Sequence, residues 1–269
     1  MLEIQGLTIK FRDGKETVTA VSDVSLTLQK GETLGLVGES GSGKSVTALA
    51  LTRLLPEPPA LYAKGDVLFE GESILKKKKT ALRSIRGREI AYIFQDPANS
   101  LNPVFSIYEQ LAETIRLHRP EVQNVRREAN FWLEQVGIVN PEKRIDHYPF
   151  QFSGGMQQRV MIAMALSCRP KILVADEPTT ALDVTIQKQI LDLFRTLKSE
   201  MSILLITHNF GIVRGLTDKV AVLYRGRLVE FGNTETVLKA PQHPYTRALI
   251  GCVPHIGQKL VRLTTIDNL

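Results

Sequence analysis

Apolar and polar residues alternate along residues 2–10 and again along residues 21–28, with Asp13-Gly14 between the two stretches. This pattern predicts an antiparallel edge of two half-exposed strands joined by a turn. Further on, the alternation gives way to short unbroken apolar runs at residues 33–37, 90–94, 172–175 and 202–206, the reading of strands covered on both faces. Helical periodicity lies between these runs. It covers residues 44 to about 54, where Pro56, Pro58 and Pro59 break it, and residues 160 to about 167, the stretch after Asp183 and residues 246–250. Residues 106–137 are also helical in pattern, with Ile107, Leu111 and Ile115 on one face and Phe131, Trp132, Leu133 and Val136 later. Weaker strands are predicted at residues 65–69, 220–223 and 228–231, and no strong pattern follows Pro254. Strands that alternate with helices make this an α/β chain, with residues 106–137 as a helical insert.

Composition adds bounds to this picture. With 269 residues, 43% of them hydrophobic, the chain can bury a sizeable core. Its net charge of +6 is spread along the sequence, a weak signal for nucleic acid that an anionic nucleotide or a membrane surface explains equally well. No apolar run approaches the roughly 18 residues of a membrane span, and Met1-Leu2-Glu3-Ile4-Gln5 lacks the layout of a signal peptide, so a soluble, cytoplasmic chain is expected. Cys168 and Cys252 have no C-x-x-C partner and read as buried free thiols. His118, His147, His243 and His255 show no metal-ligand spacing and read as surface or structural. Lys76-Lys77-Lys78-Lys79 reads as a solvated loop, ahead of a contact with anionic headgroups.

The candidate chemistry gathers at strand exits. Residues 38–45 match G-x-x-x-x-G-K-[ST] between an apolar run and a helical one. Gly38, Gly41 and Gly43 let the backbone curl so that N–H groups around Glu39, Ser40, Ser42 and Val46 can face anionic oxygens. Lys44 can reach the β- and γ-phosphates, and the Ser45 hydroxyl can join a Mg²⁺ shell. Gln95 leaves another strand and can reach a metal or a water. Ser153-Gly154-Gly155-Met156-Gln157 opens a helix, either as a second anion site or as a plain N-cap and turn. Asp176 and Glu177 emerge together at a strand's carboxyl end, where Asp176 can hold Mg²⁺ and Glu177 can polarise a water. His208, at a further exit, is a candidate γ-phosphate contact. Phe11 could stack on adenine or simply pack.

Taken in order, the phosphate loop, Gln95, Ser153-Gly154-Gly155, Asp176-Glu177, Ala181-Leu182-Asp183 and His208 resemble the ATP-binding-cassette ATPases across nearly the whole chain. The resemblance implies a P-loop NTPase, RecA-like core with an antiparallel β edge sheet (residues 1–95 and 169–252), an inserted α-helical sub-domain (96–168) and a tail (253–269). It implies that ATP and Mg²⁺ are the cofactors. Residues 38–45 become the Walker A loop, Gln95 the Q-loop residue and Ser153 to Gln157 the signature. Asp176 and Glu177 become the Walker B carboxylate and catalytic base, His208 the switch histidine, Asp183 the D-loop residue and Phe11 the adenine-stacking aromatic. Phe152, Met156 and Asn209 depart from the commoner leucine, glutamine and aspartate.

Residues 38–47, 94–103 and 243–249, the last reading His-Pro-Tyr-Thr-Arg-Ala-Leu, are similar to the peptide and nickel importers. The group's cysteine-rich C-terminal extension is missing from this sequence, which keeps nickel or metal chelates open as cargo beside peptides. The resemblance implies a second ATPase subunit in a heterodimer or homodimer, two integral permease subunits, an extracytoplasmic solute-binding protein indirectly, and no nucleic acid. The expected place is the cytoplasmic face of the cell membrane. The rival readings are a non-transport cassette in DNA repair or at the ribosome, an exporter ATPase, and a catalytically dead binding module.

Overall fold

The computed structural model describes residues 1–14 and 16–252. The predicted tail (253–269), with His255, lies outside the described residues. In chain order the elements are β1 (Leu2–Asp13), β2 (Glu16–Leu28), β3 (Thr33–Val37), α1 (Lys44–Ala50), β4 (Ala60–Phe69), β5 (Glu72–Ser73), α2 (Lys79–Ile85), β6 (Ile90–Ile93) and α3 (Pro97–Ser100). Then follow α4 (Ile107–His118), α5 (Val125–Gln135), α6 (Pro141–Arg144), α7 (Gly154–Ser167), β7 (Ile172–Asp176) and α8 (Val184–Leu197). The chain closes with β8 (Ser202–Ile206), α9 (Phe210–Leu216), β9 (Lys219–Tyr224), β10 (Arg227–Asn233), α10 (Thr234–Lys239) and α11 (Pro244–Gly251). The described residues form two compact units, residues 1–77 with those from 204 onward, and residues 78–203.

In the first unit, β2-β1-β4-β5 form an antiparallel sheet, and β10-β9-β3-β8 run side by side in another. The alternating period of β1 puts Leu2, Ile4, Leu7 and Ile9 into the core, while the unbroken run of β3 is buried at every position. β3 pairs in parallel with β9, and the Asp218 carboxylate accepts a 2.8 Å hydrogen bond from the Thr33 N–H. Several boundaries differ from expectation. α1 ends at Ala50, before the prolines, where the chain turns and Arg53 takes a left-handed φ of 52°. β4 starts at Ala60 because it pairs with β1 from Phe11↔Ala60 onward, a pairing that its own weak alternation does not announce.

In the second unit, β6 and β7 are parallel, and α4 and α5 pack with α7. α4 opens with a reciprocal capping box between Ser106 and Glu109. α7 is apolar around most of its circumference, so Val160, Ile162, Ala163 and Leu166 are all buried, as expected of a helix that runs through a core. Trp132 packs as expected, with its indole N–H donating to Glu128, whereas Phe131 on the same helix is exposed. The lysine run is only partly the solvated loop predicted. Lys76 and Lys77 pair with Asp66 and Glu72 in the first unit, and Lys79 begins α2, whose Leu82 and Ile85 are buried. Among the described residues, no helix is long and apolar enough to cross a membrane.

Candidate nucleotide-binding site

The phosphate loop lies in the first unit, between the buried strand β3 and the start of α1. Gly38 leaves β3 with a φ of 148°, and a Cβ there would stand 2.2 Å from the Leu223 carbonyl oxygen and 2.7 Å from Ser42 Oγ. Gly43, the N-cap of α1, has a φ of 100°, and a Cβ would meet the Ala20 carbonyl at 2.8 Å. Backbone atoms fill both places, so only glycine fits. Between them the Ser42 N–H donates to the Glu39 carbonyl at 3.2 Å, and the Gly226 N–H donates to the Ser42 carbonyl at 3.0 Å. Lys44 arches back over the loop and donates to the Gly38 and Glu39 carbonyls at 2.8 and 2.7 Å. The Ser42 hydroxyl is buried with no protein partner, while Ser40, Gly41 and Ser45 are exposed.

One more residue holds this loop, and in the sequence it stands out only as part of a family marker. Tyr245, on α11, accepts a 3.0 Å hydrogen bond from the Glu39 N–H. Its ring is 1% exposed and stacks on Tyr224 with centroids 4.1 Å apart. Burial pushes its hydroxyl's pKa up, so it stays protonated. The first unit also carries His208, exposed just beyond β8, and Asn209, whose side chain caps α9 by accepting from Gly211 and Ile212. An aspartate there would cap in the same way, which accounts for the Asn209 departure. Phe11 lies half-buried on β1, opposite Val18 and Ala60.

The second unit carries the remaining candidates. Gln95 is exposed after β6. Ser153 N-caps α7, accepting from the Met156 N–H at 3.4 Å, while Gly154 is open to solvent. Gln157 turns back on its own segment and donates to the Pro149 and Phe152 carbonyls at 2.8 and 3.3 Å. Asp176 and Glu177 leave β7 half-buried, and Glu177 has a left-handed φ of 51°, a strained conformation for a residue with a Cβ. The Thr180 hydroxyl donates to the Glu177 carboxylate at 2.9 Å. Asp183 caps α8 through the Thr185 and Ile186 N–H groups.

This unit brings the Ser153–Gly155 turn and the Glu177 segment together. A Cβ on Gly155 would lie 3.1 Å from the Ala181 carbonyl oxygen, and the buried Gln158 side chain donates to the Pro178 carbonyl at 2.9 Å. Arg159 adds a 2.6 Å bond to the Gly137 carbonyl, and burial lowers its pKa against the opposing pull of Asp183. Gln158 is not among the site residues expected from sequence, because a glutamine inside a helix gives no sign of a partner twenty residues ahead.

Residues 21–180 match the family model described as ABC transporter. The chain belongs to the ABC transporter family. A second family model, described as oligopeptide/dipeptide transporter, C-terminal region, matches residues 229–268 of this ABC chain. Over 269 residues it is 50% identical to the glutathione import ATP-binding protein GsiA of Escherichia coli (strain K12), an alignment covering 96% of this chain and 42% of that protein. The GsiA protein of Salmonella choleraesuis (strain SC-B67) is likewise 50% identical, over 265 residues and with the same coverage. The ABC chain thus spans 42% of the length of these curated relatives.

Among solved structures, the dimeric post-hydrolysis state of the ATP-binding cassette MJ0796 bound to ADP and Pi has a TM-score of 0.78 at 27% identity, covering 87% of this chain and 99% of that one. CbiO1 of Clostridium perfringens, part of the ABC transporter complex cbiONQ, has a TM-score of 0.71 at 27% identity, covering 89% of this chain and 90% of that one. The α/β, P-loop fold expected from the sequence is therefore the fold observed, and the chain is an ABC transporter ATPase domain that binds ATP.

Proposed function

We propose that this domain hydrolyses ATP with Mg²⁺ to energise the uptake of short peptides of the glutathione class, working at the cytoplasmic face of the cell membrane. The observation that carries the reading is the 50% identity, over 96% of the chain, to proteins named for glutathione import. The match of residues 229–268 to an oligopeptide/dipeptide transporter region points the same way. Its partners are a second ATPase domain, two integral permease subunits and, indirectly, an extracytoplasmic solute-binding protein.

The residues fit the nucleotide. The glycine positions where a Cβ would collide, and the partnerless buried Ser42 hydroxyl, favour a loop shaped around phosphate oxygens. Lys44, whose ammonium already bonds two loop carbonyls, can exchange them for phosphate. Ser45, Gln95 and Asp176 each offer a hard oxygen donor of the kind that Mg²⁺ takes. When bound, the ion neutralises charge on the phosphates. Glu177 acts as general base toward the attacking water, His208 contacts the γ-phosphate, and Phe11 stacks on adenine. Two domains pair head to tail, so that Ser153, Gly154 and Gly155 of one face the nucleotide on the cradle of the other. The likeness to the MJ0796 cassette, a dimer that holds ADP and Pi, supports that arrangement.

Deleting the gene and following the uptake of labelled glutathione, di- and oligopeptides, and nickel, cobalt and zinc complexes tests the cargo. Loss of peptide uptake with normal metal entry is expected. Normal peptide entry with loss of a metal complex would replace peptides by metal chelates. Normal entry of all of them, with export of some compound failing, would overturn the importer reading.

A further inference from the structure

The segment that marks the peptide-importer group, His243-Pro244-Tyr245-Thr246, lies 206 residues from the phosphate loop in sequence yet touches it. His243, Pro244 and Tyr245 each have a physical task. His243 N-caps α11, its ring nitrogen accepting from the Tyr245 N–H at 3.2 Å, and Pro244 occupies the first helical turn, where its missing N–H costs nothing. The Glu230 carboxylate receives the Gln242 and His243 N–H groups at 2.8 and 3.1 Å, which pins the start of α11 to β10. The Tyr245 ring is then part of the core with Val37, Val220 and Val222. Only its hydroxyl leaves the core, to receive the Glu39 N–H.

That bond lands at a sensitive place. Glu39 directly follows Gly38, which the Leu223 carbonyl crowds, and its own carbonyl is one of the two that hold Lys44. The residue after Leu223 is Tyr224, the stacking partner of Tyr245. The strand end of β9 and the start of α11 therefore brace the same few residues of the loop, one by steric contact and the other by a hydrogen bond.

We propose that Tyr245 is a positioning residue for ATP, and that the His-Pro-Tyr-Thr segment holds the phosphate loop of this chain in its nucleotide-binding shape. This rests on the reading of residues 38–45 as the ATP site. The tyrosine ring supplies core packing, while the hydroxyl supplies preorganisation. Without the hydroxyl, the Glu39 peptide can rotate and the loop leaves its binding-competent shape for part of the time. The apparent dissociation constant rises in proportion to that loss. One net hydrogen bond is worth a population change of about 3- to 10-fold, so Kd for ATP should rise by about that factor.

The test is Tyr245→Phe, which keeps the ring and removes only the oxygen, measured by equilibrium titration with a fluorescent ATP analogue and by steady-state hydrolysis of the full chain. The expected result is a Kd and KM raised about 3- to 10-fold, with kcat within about twofold of the parent and the nucleotide-free melting temperature little changed. Lys44→Ala is titrated alongside. If Lys44→Ala binds the analogue like the parent, the loop is not the ATP site and the functional reading falls. If Lys44→Ala loses affinity while Tyr245→Phe keeps the parent Kd and KM, the positioning role alone is overturned. Should Tyr245→Phe prove unstable, Glu230→Ala tests the same brace by removing the acceptor of the Gln242 and His243 N–H groups, and an unchanged Kd in that folded variant overturns the proposal equally.

Discussion

Replacing Gln158 by methionine separates two things that a buried polar side chain can do. Gln158 is 1% exposed; its amide nitrogen donates to the Pro178 carbonyl at 2.9 Å, and its amide oxygen is buried with no protein partner. Methionine has nearly the same length and volume, so it leaves no cavity. Losing the bond orphans the buried Pro178 carbonyl at a cost of about 1–3 kcal/mol, whereas removing a buried, unsatisfied oxygen returns about the same amount. The two nearly cancel, and the variant should unfold in urea within about 1 kcal/mol of the parent. Hydrolysis should respond differently. Pro178 follows Glu177, and the freed carbonyl lets the strained Glu177 backbone relax, so kcat should fall by several-fold at unchanged ATP affinity. Urea unfolding and steady-state ATPase assays on the same preparations read both quantities. A stability loss above about 2 kcal/mol would refute the reasoning, because it would mean that the amide oxygen has a strong partner after all.

Three further outcomes are expected. Glu177→Gln should keep ATP binding, slow hydrolysis by about 10²- to 10⁴-fold and accumulate an ATP-bound dimer on gel filtration; parent-like turnover would remove Glu177 from the role of base. Gly38→Ala places a methyl 2.2 Å from the Leu223 carbonyl, and nucleotide titration should find binding abolished or the protein unfolded. Burial raises the pKa of the Cys168 thiol to about 12, so at pH 8 iodoacetamide should modify the half-exposed Cys252 and leave Cys168 unreacted until the chain is denatured, as peptide mass mapping would show. The same shift has a sign for stability. The thiol is protonated in both states below its ordinary pKa near 9, and the unfolded chain loses the proton first on going up toward 12, so unfolding becomes easier across that alkaline window and less so in Cys168→Ala.

What the sequence disclosed was whatever is local. The cradle is readable because the spacing of Gly38, Gly43, Lys44 and Ser45 is itself the geometry, within a single strand-loop-helix passage. The edge strands β1 and β2 are readable because alternation survives whichever partner they pair with. By contrast, α2 hides behind a lysine run whose charge suggests solvent, and only the i, i+3 pair Leu82 and Ile85 marks its buried side. The β4 strand begins earlier than its pattern, since pairing with β1 outweighs the poor propensity around Lys64 and Gly65. Gln158 and Tyr245 act through backbone groups, the Pro178 carbonyl and the Glu39 N–H, and a backbone partner leaves no trace in residue identity. Gln157, read as a ligand contact, shows the converse, because its amide is engaged by carbonyls of its own segment.

The bond between Glu39 and Tyr245 also sets a schedule for the ribosome. At about 5–20 residues per second, roughly 10–40 s pass between the synthesis of the loop and that of the tyrosine that holds it. Throughout that interval β9, which flanks β3, and the Asp218 carboxylate that receives the Thr33 N–H are also incomplete or still within the exit tunnel. A nascent chain bearing every residue of the phosphate motif therefore still lacks the contacts that brace the loop in the folded chain. Those contacts arrive late, when residues 218–245 fold back onto residues 33–39.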